Sequence, residues 1–206
     1  GEQYQLYEEA FVIYKKTEHA VEAIGVLLDY IHDMERAFEF ADRCNDPQVW
    51  CRLAQSQLDH GAVDEAMQSF IKAQDPVAYT NVIASAEQEG KYEELIPFLK
   101  MARQTVKEQQ VDTALIYAYA KCEKYGDLEE FISAPNVAQI QSIGERCYEE
   151  EMYDAAKLLF QNINNNAKLA ICYVRLGNFR QAVEAATRAN SVGTWKEVSY
   201  ACIQVD

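Results

Sequence analysis

Glycine and proline are scarce in this chain, with 8 Gly and 4 Pro among 206 residues. An all-β fold spends such residues at every tight turn, so that class is set aside first. No apolar run approaches the ~20 residues that cross a bilayer as a helix. The N-terminus lacks the basic-then-apolar order of a secretory signal, and no N-x-[ST] sequon occurs. Position 1 is not Met, which reads as a fragment or a processed chain. Basic residues are also few: 19 Lys and Arg stand against 33 Asp and Glu, for a net charge of −14. That balance opposes non-specific binding to nucleic acid or to an anionic membrane surface. No basic stripe longer than Lys15-Lys16 offsets it. A solvated acidic surface is the plainest reading, and an acidic groove for a partner is the sharper one.

Catalytic punctuation is missing too. "EGKYEE" contains a Gly-Lys pair, but it has no upstream glycine and no following Ser or Thr to make a phosphate loop. No G-x-G-x-x-G, G-x-S-x-G or H-E-x-x-H occurs. The three histidines, His19, His32 and His60, are far apart and read as exposed turn residues, with a pH-sensing contact as the alternative. Glu149-Glu150-Glu151 reads as a solvated helix end, because consecutive helical side chains diverge. Six cysteines (44, 51, 122, 147, 172 and 202) form no C-x-x-C pair and lie in apolar helical patterns. They read as reduced core positions, since free cysteine packs as a small hydrophobe. No catalytic, cofactor-binding or metal-binding residue is therefore assigned, no cofactor is expected, and partner-binding residues stay unknown.

What the chain does have is helical periodicity. Val49, Leu53, Ala54 and Leu58 share one face, after Asp46 as N-cap and Pro47 in the first turn. Gly61 then suits a left-handed C-terminal cap. Ala62, Ala66, Phe70 and Ile71 line a second helix, and Asp75-Pro76 with Tyr79 repeats Asp46-Pro47 with Trp50 after 29 residues. That interval is one helix pair. The inter-helix turn recurs as "IHDMERA", "HGAVDEA", "EGKYEEL", "YGDLEEF", "EEMYDAA" and "LGNFRQA", anchored on His32, Gly61, Gly90, Gly126, Glu151 and Gly177. The expectation is an all-α solenoid of 13–14 helices near 3–16, 18–30, 33–43, 47–60, 62–73, 76–89, 91–106, 109–125, 127–133, 137–150, 153–162, 166–176, 178–189 and 194–203. Pro97 sits awkwardly inside 91–106 and marks an early turn or a kink. Ala66, Ala156 and Ala182 read as close-packing positions. Trp50, Tyr79, Phe98, Tyr119, Phe160, Tyr173 and Trp195 read as core between repeats, or alternatively as a stacking groove.

Four stretches carry a resemblance: "YEEAFVIYKK" (7–16), "AFEFADRCNDPQVWCRLAQSQLDHGAVDEAMQSFIKAQDP" (37–76), "ERCYEEEMYDAAKLLF" (145–160) and "ANSVGTWKEVSYAC" (189–202). They resemble the clathrin heavy chain, in the stretch beginning the proximal leg; the match weakens over "KEQQVDTALIYAYAKCEKYG" (107–126). The resemblance implies that residues 1–206 are one α-solenoid segment, most of one clathrin heavy-chain repeat with part of its neighbours. It implies a structural coat protein, not an enzyme, whose legs pack with other heavy chains into a lattice. That lattice would lie on the cytosolic face of coated pits and vesicles, in endocytosis and intracellular transport. A light chain is expected mainly on a later part of the leg. No contact with nucleic acid and no direct membrane insertion are expected. The family's propeller and trimerisation region are not matched, so this chain alone should neither trimerise nor recruit adaptors and should be monomeric or weakly associating. The competing reading is an adaptor or tethering module of another trafficking complex, holding one partner tightly. Asp64, Glu65, Glu93, Glu94, Asp127 and Glu129 suggest an electrostatic lattice edge.

Stacking of seven such pairs also implies an elongated rod on the order of 70 Å, and a right-handed superhelix is the expected form. Small-angle scattering checks this, with a radius of gyration of roughly 23 Å expected for the rod against about 17 Å for a globule.

Overall fold

The structure is a computed structural model that describes residues 1–204. The described residues hold fourteen α-helices and one π turn, joined by short turns and loops, with no strand among them. The first seven are α1 (Glu2–Lys16), α2 (Ala20–Val26), α3 (Met34–Cys44), α4 (Pro47–Asp59), α5 (Val63–Ala73), α6 (Tyr79–Glu89) and α7 (Tyr92–Ala102). The π turn, Leu27–Ile31, continues α2. The other seven are α8 (Gln109–Lys121), α9 (Tyr125–Ser133), α10 (Ile140–Glu149), α11 (Tyr153–Asn162), α12 (Asn166–Arg175), α13 (Phe179–Ala189) and α14 (Val192–Ile203). Each matches one helix expected from periodicity. They group into two compact units, Gly1–Val106 and a second from Lys107 onward.

In both units a helix packs on its successor and on the helix after that. In the first, α4 lies against α5 and α2, and α7 against α6 and α5; in the second, α12 lies against α11, α13 and α14. This is the stacking of a helical-repeat solenoid, in which no pair closes a core alone. Trp50, Phe70, Leu53 and Leu95 are buried in the first unit, and Leu115, Leu159 and Phe160 in the second. Phe70 meets Phe98 edge-on at 6.2 Å, from α5 to α7. Truncating one such ring to Ala costs about 3–5 kcal/mol.

The turn inside each pair has one form. His32, Gly61, Gly90, Glu123, Glu151 and Gly177 all take a left-handed backbone, with φ of 58°, 77°, 70°, 55°, 63° and 73°. After five of them the next amide donates back five residues: Ala62 to Gln57 (2.9 Å), Lys91 to Ala86 (2.8 Å), Lys124 to Tyr119 (3.0 Å), Met152 to Cys147 (2.8 Å) and Asn178 to Tyr173 (2.8 Å). That bond satisfies an orphan carbonyl and reverses the chain. At His32 the bond spans six residues, Asp33 to Leu27 at 3.0 Å, because the π turn adds one. Five positions after each turn residue stands Ala37, Ala66, Leu95, Leu128, Ala156 or Ala182, each 0% exposed.

Several expectations shift here. Gly126 is not the turn residue: Glu123 is, three positions upstream, and Gly126 lies inside α9. Leu128, five positions after Glu123, is the buried residue that follows this turn. The second Asp-Pro also starts its helix late. Asp46 accepts from the Gln48 amide at 2.8 Å and α4 begins at once. Asp75 accepts from the Val77 amide at 2.9 Å, but Tyr79 first bonds Pro76 at 2.9 Å, and α6 begins only at Tyr79. The first copy has an extra reason for its Trp: the indole of Trp50 donates to Asn45 Oδ1 at 3.2 Å, satisfying a buried N–H. Helix α7 runs through Pro97 and ends at Ala102, short of the expected 106. Of the seven aromatics, Trp50, Phe98, Tyr119 and Phe160 are core, Tyr79 and Tyr173 are half-buried, and Trp195 is 39% exposed.

Glycine substitutions separate these roles. Gly126→Ala should stabilise by up to ~1 kcal/mol, as an open helical position. Gly177→Ala should cost about 1 kcal/mol at its φ of +73°. Gly144→Ala should cost about 1–3 kcal/mol, because a Cβ there would stand 2.9 Å from the buried Phe160 ring. Urea unfolding of the three variants checks the order.

Candidate interaction surface

Helix α4 has two faces. Val49, Trp50, Leu53, Ala54 and Gln57 point into the core. Gln48, Cys51, Arg52 and Gln55, at helical spacing, look outward and form one wall of a groove. Val21 of α2, Pro47, and Ala73 and Asp75 from the end of α5 complete it, around a volume of about 570 Å³. Its lining is mostly apolar, and its charged groups are already spoken for within the chain. The Cys51 thiol donates to Asp75 Oδ2 at 2.7 Å, tying α4 to the following turn. The other Asp75 oxygen holds the Val77 amide. Arg52 Nη2 reaches both oxygens of Asp29 in the π turn at 2.6 Å. Burial, and then the Asp75 carboxylate, push the Cys51 thiol up to about 11, so it is no nucleophile near neutral pH. The groove offers shape and an apolar floor rather than reactive chemistry.

The cysteines divide unevenly. Cys147 and Cys172 are core, and burial pushes each thiol up to about 12. Cys51, Cys122 and Cys202 are half-buried and Cys44 is exposed, so the uniform core reading fails for these four. Periodicity placed them in helices without saying which face they occupy. The histidines are exposed, as expected: Nδ1 of His19 contacts Thr17 Oγ1 (2.9 Å), that of His32 the Leu28 carbonyl (3.1 Å) and that of His60 the Ser56 carbonyl (2.7 Å). No group of three His, Cys, Asp or Glu is placed to hold a metal ion among the described residues.

The acidic row is unevenly exposed. Glu65, Glu93, Asp127 and Glu129 are exposed, whereas Glu94 is half-buried and Asp64 is held by Lys91 at 2.9 Å. Across the first unit, Arg36 grips both oxygens of Glu8 at 2.6 and 2.9 Å, joining α3 to α1. The hydrogen bond from Arg36 holds the Glu8 carboxyl below its usual range.

In the second unit Glu150 is the feature that sequence reading missed. It accepts from Tyr117 Oη at 2.6 Å, Lys121 Nζ at 3.0 Å and Arg146 Nε at 3.1 Å. Arg146 also lies 3.6 Å over the Tyr117 ring. Glu150 therefore joins α8 to α10 rather than ending a helix in solvent. Only the spacing of Arg146 to Glu150 hinted at it; Tyr117 and Lys121 lie about 30 residues upstream.

Partial burial pushes the Glu150 carboxyl up, but the bonds from Tyr117, Lys121 and Arg146 outweigh it and hold it at about 2. A depressed carboxylate stabilises the fold above the unfolded value of ~4.3, and that gain is lost as pH falls toward about 2. With solvent screening allowed for, Glu150→Gln should cost about 1–2 kcal/mol at pH 7. The cost should shrink to a fraction of that near pH 2.5, as urea midpoints at both pH values would show.

A family model described as "Region in Clathrin and VPS" matches residues 2–65 and 70–206. A Drosophila melanogaster protein named "Clathrin heavy chain" is 51% identical over 202 residues, covering 98% of this chain and 12% of that protein. The "Clathrin heavy chain" of Dictyostelium discoideum is 50% identical over 199 residues, 97% of this chain and 12% of the relative. "Clathrin heavy chain 2" of Homo sapiens is 48% identical over 198 residues, 96% and 12% respectively. The chain thus spans about 12% of the length of these curated relatives.

Proposed function

The chain belongs to the clathrin heavy-chain repeat family, and from that premise we propose that it is a structural leg segment of a clathrin coat. It would stand in the proximal leg, as part of one solenoid, and pack with neighbouring heavy chains in the lattice around budding vesicles. The observation that carries this reading is identity of about half the residues to heavy chains along nearly the whole chain, on a fold of stacked helix pairs. Such a stack presents long, shallow faces. Many weak contacts across them suit a reversible lattice, because avidity multiplies contacts that are individually weak. The role is mechanical and needs no catalysis or cofactor.

The setting is the cytosolic face of coated pits and vesicles, with the segment held there by the lattice. No helix among the described residues is long and apolar enough to cross a membrane. Light chain is expected on a later part of the leg, and no residue of this segment is assigned to it. The second reading, a tethering or adaptor module, draws on the same family description, which spans clathrin and VPS proteins. It calls for one tight partner.

The test excises the segment from a full-length heavy chain. Trimers should still form, and closed cages should be lost in electron micrographs of assembly reactions. Normal cages from the excised chain would overturn the lattice role, and a single partner held tightly by residues 1–206 would favour the tethering reading.

A further inference from the structure

The second unit keeps two cations in reserve. Elsewhere, basic side chains between helices are matched to carboxylates, as Arg52 is to Asp29, Lys91 to Asp64 and Lys121 to Glu150. Among the described residues neither Lys168 nor Arg175 joins an ion pair. The one side-chain bond of Arg175 runs from Nε to Tyr148 Oη at 3.4 Å. The two cations lie two turns apart on one face of α12, roughly 10 Å along its axis. Both line a recess of about 420 Å³, with Tyr148 of α10, Ile171 between them, Tyr200 of α14 and its C-cap Gln204. Besides the ammonium and the guanidinium, two phenol hydroxyls and a carboxamide can donate into it. One carboxylate, Glu197, opposes them in the lining. In a chain with a net charge of −14, a recess with that balance is suited to an anion from outside.

We propose that this recess binds a phosphate monoester, with Lys168 and Arg175 on the phosphate and Ile171 and the two phenol rings on the group that carries it. A phosphate brings nearly two charges and three strong acceptor oxygens, which two cations and the neighbouring donors can share. Arg175 supplies a planar fork and Lys168 a point charge, two complementary ways of holding such a group. The existing bond from Arg175 to the phenol is long and involves a neutral acceptor, so exchanging it for a phosphate oxygen costs little. The volume falls in the range of small-ligand pockets. A ligand seated there touches α10, α12 and α14 together and ties alternate helices of the stack. The recess is open and Glu197 repels the anion, so binding is weak, with a Kd on the order of 0.1–1 mM. The site is separate from the proposed lattice role and stands or falls without it.

Phosphorus NMR of phenyl phosphate titrated with the 206-residue chain at low salt tests it. Saturable broadening is expected, with binding about tenfold weaker in Lys168→Gln and in Arg175→Gln. Glu197→Gln should bind about twofold more tightly, because it removes the opposing charge. All three positions are exposed, so the variants keep the fold. Arg180→Gln, on α13 beside Glu184, should bind as the unmodified chain does. Inorganic phosphate should bind more weakly than phenyl phosphate, since it leaves Ile171 and the rings uncovered. A phosphotyrosyl peptide with neutral flanks identifies the source: tighter binding than phenyl phosphate points to a protein-borne phosphate, equal binding to a free monoester, and either keeps the recess as the site. An unmodified chain that gives no saturable broadening would sink the proposal. So would affinity that is unchanged in Lys168→Gln and Arg175→Gln, or that falls as far in Arg180→Gln.

Discussion

A helix of ten to fifteen residues with one apolar stripe is marginal in water until another helix covers that stripe. Everything else in this structure follows from meeting that need by repetition. The chain reverses at a left-handed residue, and an amide donates five residues back. The next helix then arrives with a residue five positions on, from Ala37 to Ala182, buried against its partner. Where that residue is Ala the small side chain puts little bulk between the two helices. Where it is Leu95 or Leu128 the larger side chain fills the same place.

The second constraint is that each pair still has an uncovered side. Aromatic side chains bridge it, as Phe70 does to Phe98, and so do ion pairs between alternate helices, such as Glu8 with Arg36 and Glu150 with Lys121. The ion pairs are partly exposed, so each adds modestly to stability. Their geometry spans helices that are not adjacent in sequence. They set how consecutive pairs sit within a unit, which hydrophobic burial, being non-directional, does not do alone.

Interaction chemistry in such a fold differs from a pocket enzyme's. The groove over α2 and α4 has its charges committed internally and its thiol held protonated, so recognition there rests on shape and apolar area. That suits a part whose contacts must form and release many at a time. The family membership and the physics of the fold both support the proposed mechanical role.

Much was legible from sequence, for identifiable reasons. Helix number and type came from 3.6-residue periodicity, Asp46 and Gly61 from capping chemistry, and the family from four literal strings. These are local properties, decided within a few residues of backbone. The turn at Glu123 was misplaced, because a left-handed Glu gives no signal while the Gly three residues later does. Likewise Cys44 and Trp195 share the periodicity of core residues, yet they lie at a helix end and on an unpacked face. The Tyr117–Glu150 and Cys51–Asp75 bonds join residues 24 or more apart, and only packing brings them within hydrogen-bond reach. By itself, then, the sequence determined which segments are helical, how they repeat and which family they belong to, since local sterics and pattern decide those. The tertiary structure alone decided which polar groups meet, which faces stay open and where a recess lies, because those depend on how helices distant in sequence pack together.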